Sequence, residues 1–427
     1  MAAFASQEKR MLEDQNMNEL AILGGKAEIP EKLPTVDDAS GRFFGSEEID
    51  LVTEVLQSGK LNYINGTKTA RFEKEFADKY GVRYSASCSS GTASLHGAVI
   101  SLDLEPGDEI LVPPITDMGT IIPVLMQNLV PVFVDVDPET HNMDPNKIEQ
   151  NITHKTRAII VVHMFGHPVD MDPVLSLAKK YDLYVIEDCC QSFLTRYKGK
   201  LCGTIGDIGC FSFQQSKHLT TGDGGMIITN NEGLGRRIKL CVDKGWPRDG
   251  EFRDHLFLAP AYHMTELQAA VGIAQLAKLD QIVAFRRQTA KLLDKKLEGL
   301  NMILCPQEKE WGWHTYWKYP IKVIMNRMRT DMDTIAGALK AEGLPCWAGY
   351  TKVPIYMYDV LTLPYTYGRS GYPIKESGRT YQQGLCPEAE KDLGEMIVIP
   401  WTERYQPEHI EQIYRALKKV FEYYLAY

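Results

Sequence analysis

The segment 211-FSFQQSKHLTTGDGGMIIT-229 puts a single lysine, Lys217, between a short apolar run and a glycine-rich turn made by Gly222, Gly224 and Gly225. Three readings compete for that lysine: a phosphate clamp, a surface lysine beside a hairpin turn, or the residue that does the chemistry. A nucleotide-binding phosphate loop carries its glycines ahead of the lysine, in the order G-x-x-x-x-G-K-[ST]. Here the glycines follow it, and no G-x-G-x-x-G follows the first strand-like segment. A plain hairpin accounts for Gly-Asp-Gly-Gly but leaves Ser212 to Lys217 unexplained.

Working upstream, 184-YVIEDCCQSF-193 ends a strand-like run on Glu187-Asp188. In open α/β sheets ligands bind beyond the carboxyl ends of the strands. An aspartate there can coordinate Mg²⁺, hold a ribose, pair with a protonated ring nitrogen, or simply be solvated. Further upstream, in 85-SASCSSGTASLHGAV-99, Ser90-Gly91-Thr92 follows a strand expected over 82–86 and opens a helix. Unpaired N–H groups and the positive end of the macrodipole suit a phosphate there, while an ordinary Ser/Thr N-cap is the simpler alternative. Taken together, a phosphate cup, a strand-end aspartate and a downstream lysine form the set a pyridoxal 5'-phosphate enzyme needs. Lys217 makes the Schiff base, Asp188 stabilises the pyridinium and the helix end holds the phosphate. A lysine that also shuttles protons needs a pKa lowered by desolvation or neighbouring charge.

The rest of the chain supplies a scaffold for that set. Apolar runs at 109–113, 130–136, 157–165 and 183–188 alternate with helical stretches, which predicts an α/β fold with a mostly parallel sheet. Ser46 is expected to N-cap a helix closed by Gly59, and Phe72, Phe76 and Tyr80 form one apolar helical stripe ending at Gly81. Thr265 with Gln268 makes a capping box opening a long helix that ends near Gly299 and joins two domains. The expected division is a mobile tail over 1–20, a large domain over 21–299 and a smaller α+β domain over 300–427. The turn Gly222–Gly225 reads as a tight connection that ends the lysine's strand at the cofactor.

Hydrophobic content of 44%, charged content of 24% and a net charge of −9 are those of an ordinary globular protein and argue against non-specific nucleic-acid binding. Nine cysteines, with no C-x-x-C pair and no zinc-like His/Cys spacing, predict neither a disulfide framework nor a metal site. The N-terminus has no apolar core of a signal peptide, and no apolar run reaches the ~18–20 residues of a membrane span. A cytoplasmic location in a reducing compartment is the expectation.

In order and spacing, SGTASLHGAV, VHMFGHPVDMDPV, VIEDCCQSF, GDIGCFSFQQSKHLTTGDGGMIIT and YHMTELQAAVG resemble the DegT/StrS family of pyridoxal-phosphate-dependent sugar aminotransferases. The opening LAILGGKAEI and the SFQQSK form look most like members that aminate keto-cyclitols such as scyllo-inosose. The resemblance implies an aspartate-aminotransferase (type I) fold and a homodimer with shared sites. It makes Lys217 the Schiff-base lysine, Asp188 the partner of the pyridine nitrogen and Gln191 a contact of the ring hydroxyl. It gives Gly91, Thr92 and Ser212 to the phosphate, with Ser90 close by, and places His163 and Gln214 near cofactor or substrate. An amino donor, glutamine or glutamate, and a keto-sugar or keto-cyclitol acceptor would be the small-molecule partners.

Three positions depart from the family pattern. Asp117 and Met118 stand beside the cofactor where many members have an aromatic residue. Ala261-Tyr262-His263-Met264 replaces Asn-Tyr-Arg-Met, whose Asn reaches the partner subunit's phosphate. Cys189-Cys190 replaces smaller residues. Relatives that carry histidine at the lysine position are dehydratases; His218 is adjacent here, but Lys217 keeps the Ser-x-x-x-x-Lys spacing, which favours transamination. A binding or regulatory module of the same fold is the alternative from another class. Tyr316, Trp317 and Trp347 either line an acceptor site or pack the smaller domain.

Overall fold

The computed structural model describes residues 19–250, 252–363 and 365–426. Its centre is a seven-stranded sheet: β1 (Tyr84–Cys88), β2 (Glu109–Val112), β3 (Val130–Phe133), β4 (Thr156–Val162), β5 (Tyr184–Asp188), β6 (Ile208–Ser212) and β7 (Gly225–Thr229). Their spatial order is β1-β7-β6-β5-β4-β2-β3. The pairs from β6 to β3 are parallel, and β7 is antiparallel to both its neighbours. Strands 2 to 6 are buried almost throughout and mostly apolar, as strands covered by helices on both faces need to be. This is the α/β architecture with a mostly parallel sheet that the alternating pattern implied.

The helices of eight residues or more are α1 (Ser46–Ser58), α2 (Lys68–Tyr80), α3 (Gly91–Ser101), α4 (Met171–Tyr181), α5 (Glu232–Val242), α6 (Glu266–Leu297), α7 (Met332–Ala341), α8 (Pro387–Gly394) and α9 (Pro407–Tyr423). In α2 the stripe Phe72, Phe76 and Tyr80 is buried against Phe211 and Phe213. Helix α6 opens with the expected box: Gln268 N donates to Thr265 Oγ1, and Thr265 N donates to Gln268 Oε1 at 2.9 Å. A four-stranded sheet from the C-terminal part, Ile303–Leu304, Lys318–Val323, Met396–Pro400 and Trp347–Ala348 in that spatial order, packs with α7 and α9 around a separate core.

Several local expectations shift. The N-cap of α1 is Gly45, not Ser46, because Glu48 reaches back to accept from the Gly45 amide at 2.8 Å. The strand expected over 82–86 lies at Tyr84–Cys88. Gly222–Gly225 does not make a tight hairpin; residues 213–224 form a long loop between paired strands, tied across its base by Phe213 N to Gly224 O at 2.8 Å. Lys217 therefore sits in a loop rather than on a strand. Of the expected tail, residues 1–18 lie outside the described residues, while Leu20 is fully buried in the C-terminal core. All nine cysteines are free thiols. No helix among the described residues is long and apolar enough to cross a membrane.

Candidate active site

At the carboxyl ends of the parallel strands lies a cavity of about 470 Å³. Ser90, Gly91, Thr92, Asp117, Asp188, Gln191, Ser212, Gln214 and Lys217 all line it. Nine of the eleven residues singled out from sequence are thus brought together. Met118 and His163 are not: Met118 packs against the core, and His163 is wholly buried behind the wall. His163 Nδ1 accepts from Val169 N at 3.0 Å and its Nε2 meets Glu187 Oε2 at 3.0 Å, so both ring nitrogens are spent on the scaffold. Glu187 also accepts from the amides of Gly203, Ile205 and Gly206. Although His163, Glu187 and Cys189 have atoms within 4.8 Å of one another, that carboxylate is already saturated by backbone donors, and the group acts as a strut.

One end of the cavity is the N-terminus of α3. Ser90 accepts from Ala93 N at 3.0 Å, so its hydroxyl is an ordinary cap. The Gly91 and Thr92 amides have no acceptor among the described residues and face the cavity with the Thr92 and Ser212 hydroxyls. A Cβ on Gly91 would lie 2.5 Å from Ser212 Cβ, so only glycine leaves this cradle open. An anion is stabilised here by two free N–H groups and the helix dipole.

Opposite, Asp188 ends β5. Its Oδ2 accepts from Thr120 Oγ1 at 2.8 Å and its Oδ1 from Cys190 N at 3.0 Å, which fixes the carboxylate plane and leaves lone pairs for a further donor. Thr120 is in turn bonded to Thr116 Oγ1 at 2.8 Å. Asp117 does not stack on anything; it caps the short turn 118–120 by accepting from Gly119 N at 2.7 Å. Gln191 Oε1 accepts from Phe165 N at 2.9 Å, and its Nε2 donates to Tyr350 Oη at 3.3 Å. Gln214 lines the rim and accepts from Ser216 N at 2.8 Å.

Lys217 enters from the 213–224 loop and is 9% exposed. Burial lowers its pKa, against the opposing pull of Cys190, Asp188 and Asp117. No carboxylate among the described residues pairs with its Nζ, which lies 3.7 Å from the centre of the Trp317 ring. Its own carbonyl accepts from Arg42 Nη1 at 2.7 Å, and Arg42 and Arg286 share the buried carboxylate of Glu403. His218 faces away from the cavity and bonds Thr315 O through Nε2 at 2.9 Å.

Several wall residues had not been assigned to the site from sequence. Thr120 supports Asp188, and Trp317, Lys318 and Tyr350 close the side opposite the sheet. Only Trp317 had carried a signal, as one of three polar aromatics in its region. The other two separate from it: Tyr316 is fully buried and stacks on His314, and Trp347 is 45% exposed outside this cavity. Trp317 is positioned by Phe165 and Tyr316, both at positive φ (56° and 53°), with Trp317 N donating to Phe165 O at 2.8 Å. His263, at the second departure, is an internal contact: it bonds Asp243 Oδ1 at 2.8 Å and stacks on Tyr63.

An anion cradle, a fixed carboxylate and a desolvated amine with no salt-bridge partner among the described residues line one space of this size. Those three groups fit the phosphate, ring nitrogen and aldehyde carbon of pyridoxal 5'-phosphate.

The sequence profile of the DegT/DnrJ/EryC1/StrS aminotransferase family matches residues 43–418. GDP-perosamine synthase of Caulobacter vibrioides is 36% identical over 313 residues, spanning 73% of this chain and 83% of the relative. A putative L-glutamine:3-amino-2,3-dideoxy-scyllo-inosose aminotransferase of Streptoalloteichus tenebrarius is 36% identical over 288 residues, 66% of this chain and 68% of the relative. The crystal structure of an aminotransferase from Psychrobacter cryohalolentis superposes with a TM-score of 0.81 at 32% identity, covering 89% of this chain and 98% of that one. The chain belongs to the DegT/DnrJ/EryC1/StrS family of sugar aminotransferases and is a pyridoxal-phosphate-dependent enzyme.

Proposed function

We propose that the protein moves an amino group from glutamate or glutamine to the ketone of a sugar or cyclitol, with Lys217 as cofactor-bearing lysine and proton carrier. The observation that carries this reading is the opposition of Lys217 and Asp188 across one cavity that also holds the free amides of Gly91 and Thr92. When bound, the cofactor supplies an electron sink at the carbon that loses its proton. The chain supplies the rest. Gly91, Thr92 and Ser212 would hold the phosphate; Asp188, locked by Thr120 and Cys190 N, would keep a proton on the ring nitrogen. Gln191, held by Phe165 N and Tyr350, would meet the ring hydroxyl. Lys217, its pKa lowered by burial, takes the α-proton from the donor and returns it, and repeats this in reverse on the acceptor. Asp117, which caps the turn 118–120, would hold the ring less firmly than an aromatic face.

A homodimer whose subunits complete each other's sites is part of the same proposal, as is an acceptor of the cyclitol type. GDP-perosamine synthases and a putative 3-amino-2,3-dideoxy-scyllo-inosose aminotransferase among the relatives support a sugar or cyclitol acceptor.

The deciding experiment is the absorption spectrum of purified protein incubated with pyridoxal 5'-phosphate, for the wild type and Lys217→Ala. A long-wavelength band fixed by borohydride in the wild type and absent from the variant is expected. A band that persists in Lys217→Ala removes the assignment. Mass spectrometry of reactions with glutamate or glutamine then separates a free keto-inositol from a nucleotide-linked 4-keto-6-deoxysugar as acceptor, and amine from dehydrated product. Light scattering is expected to give twice the mass of the chain.

A further inference from the structure

Lys318 is a second lysine in the cavity wall, and no salt bridge among the described residues answers its charge. Its Nζ lies 4.5 Å from the ring centres of Trp317 and Trp347 and 5.5 Å from that of Tyr350. No carboxylate pairs with it among the described residues, although Asp37 and Asp117 stand near enough to act through space. Elsewhere lysines that enter the fold find partners: Lys278 is held by Glu48 and Lys419 by Glu342. Burial, with Lys217 nearby, pushes the Lys318 ammonium down to about 8. Cation–π contacts with three rings offset only part of what a desolvated ammonium gives up without a counter-charge.

Its position shows where the missing counter-charge comes from. With Ser216, Lys318 lines both the main cavity and a second one of about 550 Å³. That second space is walled by Leu33, Pro34, Val36, Leu344 and the half-exposed Trp347. A molecule held at Lys217 and extending outward past Trp317 therefore meets the Lys318 ammonium at the junction of the two spaces.

We propose that Lys318 is a specificity-determining residue that receives an oxyanion of the substrate at this junction, either a carboxylate of the amino donor or a phosphoryl group carried by the acceptor. The inference rests on the aminotransferase reading, because it takes the ligands of the cavity to be that reaction's substrates. Trp317, Trp347 and Tyr350 hold the ammonium in place between visits of the anion, so the charge is preorganised.

Binding without turnover tests it. The cofactor-loaded protein is titrated with glutarate, which carries the donor's two carboxylates but no amine, and separately with guanosine diphosphate. Calorimetry reads the dissociation constants for the wild type, Lys318→Met and Lys318→Arg. For one of the two probes the constant is expected to rise about tenfold or more in Lys318→Met and to stay within about threefold of wild type in Lys318→Arg. A shift for glutarate assigns the oxyanion to the donor, and a shift for guanosine diphosphate assigns it to the acceptor. The proposal is overturned if both constants in Lys318→Met stay within about twofold of wild type, or if the wild type binds neither probe at about 10 mM. Lys318→Gln replaces Lys318→Met if circular dichroism shows the latter unfolded. Failure of the aminotransferase reading shows separately, as a missing borohydride-sensitive band in the wild type.

Discussion

Lys217 is useful because the fold makes its charged form expensive. A buried lysine with a lowered pKa is a neutral nucleophile above that value and an inert ammonium below it. The rate at which the cofactor's long-wavelength band appears is therefore expected to fall with decreasing pH through an inflection below the ordinary 10.5. Asp117 raises the lysine's pKa, so Asp117→Asn is expected to move the inflection to lower pH; stopped-flow absorbance across a pH series reads both. The Lys217 backbone has its own anchor in the Arg42–Glu403–Arg286 cluster. Arg286 Nε and Nη2 donate to Glu403 Oε2 at 3.0 and 2.8 Å, and burial pushes the Arg42 guanidinium down to about 10. Glu403→Gln leaves two buried guanidiniums with no counter-charge and is expected to cost about 3–5 kcal/mol in urea unfolding.

At the scale of elements, the site depends on how helices begin. Helix α3 starts at Gly91 so that two amides remain free, and Gly91→Ala drives a methyl into Ser212. That variant is expected to lose about 1–3 kcal/mol of stability and at least about tenfold in cofactor affinity, measured by fluorescence titration. Helix α2 is capped from another helix. Glu266, in the first turn of α6, accepts from Thr67 N at 2.7 Å, Lys68 N at 2.5 Å and Thr69 N at 2.9 Å. Gly66 makes room for it, since a Cβ there would lie 2.0 Å from Glu266 Cδ. Glu266→Gln removes the charge and one acceptor, and a loss of about 1–3 kcal/mol in denaturant midpoint analysis is expected.

For the whole molecule, the division at residue 299 remains a proposal, and many contacts cross that point. The strand 312–313 pairs with Arg196–Tyr197, Arg286 bonds Trp317 O at 3.2 Å, and Asp135 accepts from Glu388 N and Ala389 N at the start of α8. Residues such as Tyr381 and Val398 share a core with the parallel strands. Heating is therefore expected to unfold the described body in a single transition, with far-ultraviolet circular dichroism and tryptophan fluorescence coinciding. Two separated transitions would show that 300–427 melts as a unit of its own.

The sequence alone determined the class of fold and supplied the candidates for the chemistry at the centre of the site. Short apolar runs specify strands buried on both faces, and Ser90-Gly91-Thr92, Asp188 and Lys217 each lie at or beyond the carboxyl end of a strand. These signals are local, since each depends on a short window of residue types. Tertiary structure decided what those residues meet. Ser90 became a helix cap, His163 a strut behind the wall, and Lys217 a loop residue gripped through its carbonyl by Arg42. Thr120 came to the cavity with the Asp117 turn, and Trp317, Lys318 and Tyr350 from segments with no motif. Their positions follow from strand pairing and from the strained turns at Phe165 and Tyr316, long-range contacts that no window of sequence contains. The wall they form holds an uncompensated charge, and so the fold, rather than any motif, decides where a substrate's oxyanion would bind.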